Sequence, residues 1–221
     1  MSTVLDTPLA VERRVVLHNI SWKTYEQIME EIGDVSAPRL TYDDGDLEIM
    51  SPSPEHEKVN RTIATLVNIA ALEIEVEADD LGSTTFKREG LKRGFEPDSC
   101  FYVQSESLVR GKDRLDLTVD PPPDLVIEID ITSSSTRKRA IFAKFGVPEV
   151  WRYDGRQVEI FSLVSGAYVK AETSSVLPFF TAEVLTRFVA ESRTMSRLEW
   201  MKSVRDWARL QKKVRSESGE A

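Results

Sequence analysis

Residues 124–131 read DLVIEIDI, and the alternation in this run decides the fold. A strand here puts Leu125, Ile127, Ile129 and Ile131 on one face and Asp124, Val126, Glu128 and Asp130 on the other. Three carboxylates on one face of a β-branched strand suit either an exposed antiparallel face or a site that uses them. A dry core accepts such groups only when they are paired, hydrogen-bonded or bound to metal.

The strand before it favours a site. Glu96-Pro97-Asp98 leads straight into Ser99-Cys100-Phe101-Tyr102-Val103, so Asp98 stands at a strand entry behind a rigid proline. An acid held there beside Glu128 could share a cation with it. Ligation by oxygen alone suits Mg²⁺ or Mn²⁺ rather than zinc.

The segment after the run supplies positive charge. Ser133-Ser134-Ser135 opens a short helix that stops at Gly146, with Pro148 beyond. Arg137, Lys138 and Arg139 occupy its first turn, where the helix dipole disfavours cations. Ile141, Phe142 and Phe145 mark the buried face. Lys138 falls at the centre of that stripe, and Lys144 points away. The phase aims the Lys138 ammonium at an anion near Glu128; the alternative is a lysine snorkelling to solvent from the helix end.

A fourth part comes from upstream. Ser53 caps a helix whose first residue is Pro54 and which runs to about Leu72. Val59, Ile63, Leu66, Val67 and Ala70 form its inner face; Glu55 and His56 lie at the two edges of that stripe, and Glu57 faces out. Glu55 or His56 could reach the site as metal ligand, water positioner or proton carrier, although a structural role suits His56 equally well. His18 and His56 are the only histidines and no Gly-x-Ser-x-Gly elbow occurs, so a serine triad is excluded.

The remaining chain reads as mixed α+β. A strand over 15–20 and a helix capped by Ser21 come first. Strands over 39–42 and 46–50 flank the turn Asp43-Asp44-Gly45. Further strands are expected near 74–76, 84–88, 98–103 and 125–131, with a loop over 105–123. Strands over 150–153 and 157–164 flank Asp154-Gly155, and 167–171 pairs beside them. From Thr181 the pattern is helical, and Trp200, Met201, Val204 and Trp207 form a stripe suited to a docking face or homodimer seam. The expected organisation is a flexible segment 1–14, one domain over 15–190 and a C-terminal helical extension over 191–221.

Composition narrows the classes. No apolar run approaches the ~20 residues of a membrane span, and the N-terminus lacks a signal-peptide pattern. One cysteine, Cys100, excludes an intrachain disulfide and a cysteine zinc cage. A cytoplasmic setting fits best. The net charge of −8 argues against a generic polyanion binder, so any nucleic-acid chemistry requires localised positive charge or a bound metal.

Four ordered blocks carry a resemblance: IMSPSPEH (49–56), GFEPDSCFY (94–102), PDLVIEIDITSSS (123–135) and GVPEVWRYDG (146–155). They are similar to the Uma-type branch of bacterial restriction-endonuclease-like proteins within the PD-(D/E)XK nuclease superfamily. The resemblance spans roughly 15–190. It implies a restriction-endonuclease-like core, a four-stranded mixed central sheet flanked by helices, and Mg²⁺-dependent attack of water on DNA phosphodiesters. Asp98, Glu128 and the Ile129 carbonyl would hold the metal. The superfamily's lysine two residues after the glutamate is replaced here by Asp130, and in the Uma-type branch a lysine on the following helix takes over, which Lys138 matches. The rival expectation is a catalytically degenerate nuclease-fold module that binds nucleic acid or a protein partner.

Overall fold

Two sheets organise the chain, where the sequence pattern pointed to one. A computed structural model describes residues 12–33, 37–131 and 136–218. The first sheet has five strands in the order β1-β3-β2-β6-β5, and all its pairings are antiparallel. These are β1 (Arg13–Leu17), β2 (Arg39–Asp43), β3 (Asp46–Ser51), β5 (Phe86–Arg88) and β6 (Arg93–Phe95). Arg13 and Arg14, expected in the flexible lead segment, already pair with Ser51 and Met50. Helix α1 (Trp22–Ile32) carries Tyr25, which stacks on Tyr42 at 4.8 Å between ring centroids.

The second sheet has six strands in the order β11-β10-β9-β8-β7-β4. They are β4 (Asp79–Asp80), β7 (Ser99–Tyr102), β8 (Leu125–Ile129), β9 (Glu149–Tyr153), β10 (Val158–Val164) and β11 (Ala167–Ala171). Only β8 and β9 run parallel, with α4 (Thr136–Phe145) as the crossover between them that parallel pairing requires. The sheet is thus mixed, as expected, but two strands wider than the family resemblance implied.

Helix α2 (Pro54–Ile74) starts where its sequence says it should: Ser53 Oγ accepts from the His56 amide at 3.2 Å, with Pro54 in the first turn. It runs through Ile74 and ends at Glu75 in the left-handed region, φ 63°. The strand expected over 74–76 is therefore the last residue of α2 and its cap, and pairing resumes only at Asp79. The expected loop over 105–123 contains a short helix, α3 (Glu106–Val109). The proposed helix opening at Ser133–Ser135 lies outside the described residues.

Core packing covers β8 on both faces. Leu125, Ile127 and Ile129 join α2, α5 (Ala182–Glu191) and α6 (Arg197–Ser218), whereas Val126 joins Phe95, Ile141, Phe142, Phe145 and Val150 under α4. An exposed antiparallel face for Glu128 is thereby ruled out. Trp200, Val204 and Ala208 of α6 are fully buried in the first of these cores. Of the expected stripe, Trp200 and Val204 pack within the chain along α2 and α5 and Trp207 packs against the same core, whereas Met201 is exposed. Glu149, also fully buried, accepts from Trp151 Nε1 at 2.7 Å and from the Ser175 amide at 2.6 Å, tying β9 to the segment leading into α5.

Candidate functional site

Strand β8 delivers Glu128 to the side facing α4 and the first sheet, and its carboxylate is 1 % exposed. Asp98, equally buried, sits at the entry of the adjacent β7. Its Oδ2 accepts from the Ile129 amide at 2.7 Å, so the backbone of one acid's strand fixes the other acid's side chain. Ile129 thus brings its N–H to Asp98.

Lys138 enters from α4. Its Nζ donates to Glu128 Oε2 at 3.0 Å, and the residue is 3 % exposed, so the inward phase of the helix holds and the snorkelling alternative does not. His56, at the start of α2 and fully buried, places Nε2 3.1 Å from Asp98 Oδ2. Glu55 goes elsewhere: its carboxylate, 57 % exposed, pairs with Arg193 at 3.2 Å. Four of the expected side chains therefore converge, and Glu55 does not join them.

Sequence reasoning missed Arg39. Its guanidinium reaches from β2 to Asp98 Oδ1, and its other end donates to Glu57 Oε1 at 2.5 Å. Glu57, expected to face out, is thus tied to the acidic pair through Arg39. The signal was weak because alternation in RLTYD groups Arg39 with Thr41 and Asp43, a set that reads as a solvent face. In the fold that face is covered, and Arg39 and Thr41 are buried. Asn60, also missed, braces the site: Nδ2 donates to the Asp98 carbonyl at 2.9 Å, and Oδ1 accepts from Ser99 Oγ at 2.8 Å.

Asp130, which stands where a lysine is usual, is buried and accepts from Arg152 Nε at 2.5 Å. Arg152 lies opposite Glu128 on the parallel neighbour β9 and also donates to Glu159 at 3.1 Å. Position 130 thus carries a buried anion paired with a cation of the next strand.

Electrostatics divides the two acids. Burial alone would push Asp98 up, but the hydrogen bond from His56 and the charges of Arg39 and Lys138 hold its carboxyl at about 2. Burial pushes Glu128 up to about 7, with Asp98 and Asp130 adding to the rise and Lys138 opposing it. Burial would lower Lys138, yet Glu128 and Asp98 outweigh it, so Lys138 remains an ammonium. His56 follows the same logic: Asp98 overcomes the burial penalty and raises its pKa.

These residues can accommodate a divalent ion. Glu128 Oε1 is buried and has no hydrogen-bond partner among the described residues, a costly arrangement that a cation would relieve. Asp98 Oδ1, contacted by Arg39, retains a free lone pair. Among the described residues no group of three or more His, Cys, Asp or Glu side chains is placed to hold a metal ion, so an ion here would rely on the carboxylate pair. No helix of the described residues is long and apolar enough to cross a membrane.

The chain resembles one solved structure described as "a putative nuclease belonging to DUF820" from Anabaena variabilis. The two are 15 % identical, the match covers 86 % of this chain and 99 % of the other, and the TM-score is 0.48. No curated protein matches the chain. The family model Uma2, described as "Putative restriction endonuclease", matches residues 22–190, and with well over half its length so matched the chain belongs to the Uma2 family.

Proposed function

We propose that the chain is a divalent-metal-dependent endonuclease that hydrolyses DNA phosphodiester bonds at the Asp98–Glu128 pair. The observation that carries this reading is Glu128. One of its oxygens is held by Lys138 at 3.0 Å, and the other is buried with no hydrogen-bond partner among the described residues. A group so placed is a poor structural element and a good ligand.

Asp98 and Glu128 would hold Mg²⁺ or Mn²⁺, which when bound supplies Lewis acidity toward a phosphoryl oxygen. Lys138, locked by its ion pair, offers a fixed positive charge for the phosphate as negative charge develops on it. Arg39, His56 and the Ile129 amide keep Asp98 ionised and oriented, so no reorganisation is needed when substrate arrives. A cation held by Glu128 would require its carboxylate form, so metal binding there would be coupled to loss of the Glu128 proton.

The test is cleavage of supercoiled and linear DNA in Mg²⁺ or Mn²⁺ by the full chain, with RNA alongside. Nicking that vanishes in Asp98→Ala and in Lys138→Ala supports the reading; nicking that persists in Asp98→Ala ends it. One observation favours a second reading, a catalytically degenerate module that binds nucleic acid or a protein partner: Asp98 is already contacted by Arg39 and His56. Titration with Mn²⁺ separates the two, because a degenerate site gains no thermal stability from the metal.

A further inference from the structure

The charge of −8 leaves open how such a chain would hold a polyanion. The surface beside the acidic pair answers it. Along α2, Lys58, Arg61 and Thr65 fall at spacings of three and four and share one exposed face, while His56, Asn60 and Ile63 share the buried one. Across from that face lie Arg193, in the turn between α5 and α6, and Arg197, the first residue of α6.

Two adjoining hollows of about 440 and 360 Å³ join these elements, and both are lined by Lys58, Thr62 and Ser192. The first adds Glu55 and Arg193; the second adds Arg61 and Arg197 and no carboxylate. Four cations therefore line a continuous groove against one acid. Several surface cations elsewhere are matched one to one, Arg209 with Glu73, Lys212 with Glu75 and Lys170 with Glu159.

In the groove the pairing is looser. Lys58 is exposed and has no ion-pair partner among the described residues. Arg197 donates to Thr65 Oγ1 at 2.7 Å and stacks on Trp200 at 5.0 Å, so it is oriented without being neutralised. Arg61 stands 3.8 Å from Glu57, a long exposed contact of little strength.

The groove also meets the site. Arg193 donates to Glu55 at 3.2 Å at the start of α2, one residue before His56, whose Nε2 stands 3.1 Å from Asp98 Oδ2. From Glu55 to Thr65 the helix advances about 15 Å, close to four nucleotide steps of one strand.

We infer that the groove between α2 and the α5–α6 turn, with Lys58, Arg61, Arg193 and Arg197, is the track that holds the DNA backbone leading to the acidic pair. The inference rests on the nuclease reading and adds the surface by which the substrate is held. Phosphate contacts of this kind set position and affinity without reading sequence.

The experiment reads binding apart from cleavage. A labelled duplex is titrated by fluorescence anisotropy with the full chain in EDTA, at several KCl concentrations, and cleavage in Mn²⁺ is measured in parallel. Lys58→Ala/Arg197→Gln keeps a side-chain donor at position 197 and is checked for unchanged melting. It is expected to weaken binding roughly tenfold or more and to lower the slope of log Kd against log[KCl] by about two. Neutralising Lys170 and Lys212, on the far edge strand and near the far end of α2, should change neither. Affinity and salt slope within twofold of the wild type would overturn the groove while cleavage by the wild type leaves the nuclease reading standing. A wild type that neither binds nor cuts DNA overturns both.

Discussion

Lys138 Nζ and Glu128 Oε2 stand 3.0 Å apart, ten residues distant in the chain and both sealed from solvent. The pair joins a helix to a strand and leaves the second Glu128 oxygen free of hydrogen bonds. Lys138→Met, which preserves the stem, should lower metal-dependent cleavage about 10²–10³-fold, the range for losing one preorganised electrostatic group. Glu128 can take up a proton in its place, so the variant should still melt cooperatively. Single-turnover nicking rates against melting curves check both halves. A variant that cuts at the wild-type rate removes Lys138 from the mechanism.

Glu128 gives the metal-free chain a pH signature. Its carboxyl is raised from 4.5 to about 7, so it binds its proton more tightly folded than unfolded. That contribution is complete below about pH 4.5 and is lost as pH rises through about 7, a total of about 3 kcal/mol. Urea unfolding in EDTA at pH 5 and pH 8 should show the fall in the wild type and its absence in Glu128→Gln. Mn²⁺ should stabilise the wild type more at pH 8, where the carboxylate form it requires is already present. Matching profiles for wild type and Glu128→Gln would show that Glu128 is not the titrating group.

Arg39 makes a different demand. Both it and Asp98 are almost fully buried, and removing one partner leaves the other charge unpaired in the interior. Arg39→Ala should destabilise by about 3–5 kcal/mol. Adding Asp98→Asn should cost less than the sum of the two single changes, because the second removes the orphaned charge. Additive losses in the double-mutant cycle would mean that Arg39 acts mainly through Glu57.

Trp200 tests the place of the C-terminal helix. Its side chain is fully buried and its Nε1 donates to the Phe188 carbonyl at 2.8 Å. Trp200→Ala should destabilise by about 3–5 kcal/mol, and deleting everything after Arg193 should abolish cooperative unfolding. A truncated chain that unfolds as the full one does, with only its oligomeric state changed, would return that helix to an assembly role.

What the sequence disclosed is what local periodicity can carry. Glu128 follows from alternation in one strand, Asp98 from a proline before another, and Lys138 from the phase of one short helix. Arg39 lies 59 residues from Asp98, and its contact crosses from one sheet to the other, so no window of sequence contains it. Strands β4 and β6 escaped because two or three residues hold no period. Helical phase sent Glu57 outward, correctly for the helix alone, but Arg39 is long enough to reach it. The stripe on α6 was plain, whereas its partner was not: an apolar face does not say whether α2 or another molecule will cover it.

Arg39 belongs to the five-stranded sheet, whereas Glu128 and Arg152, the ion-pair partner of Asp130, belong to the six-stranded one, with Asp98 at the entry of its β7. The centre therefore exists only where the two sheets meet. During synthesis Arg39, His56 and Asp98 emerge first, and Glu128 and Lys138 follow. An unfinished chain, or one with its sheets undocked, has acids without their counter-charges or cations without their acids. Under the nuclease reading such a chain is harmless to the genome beside it, because competence to cut requires both sheets in place.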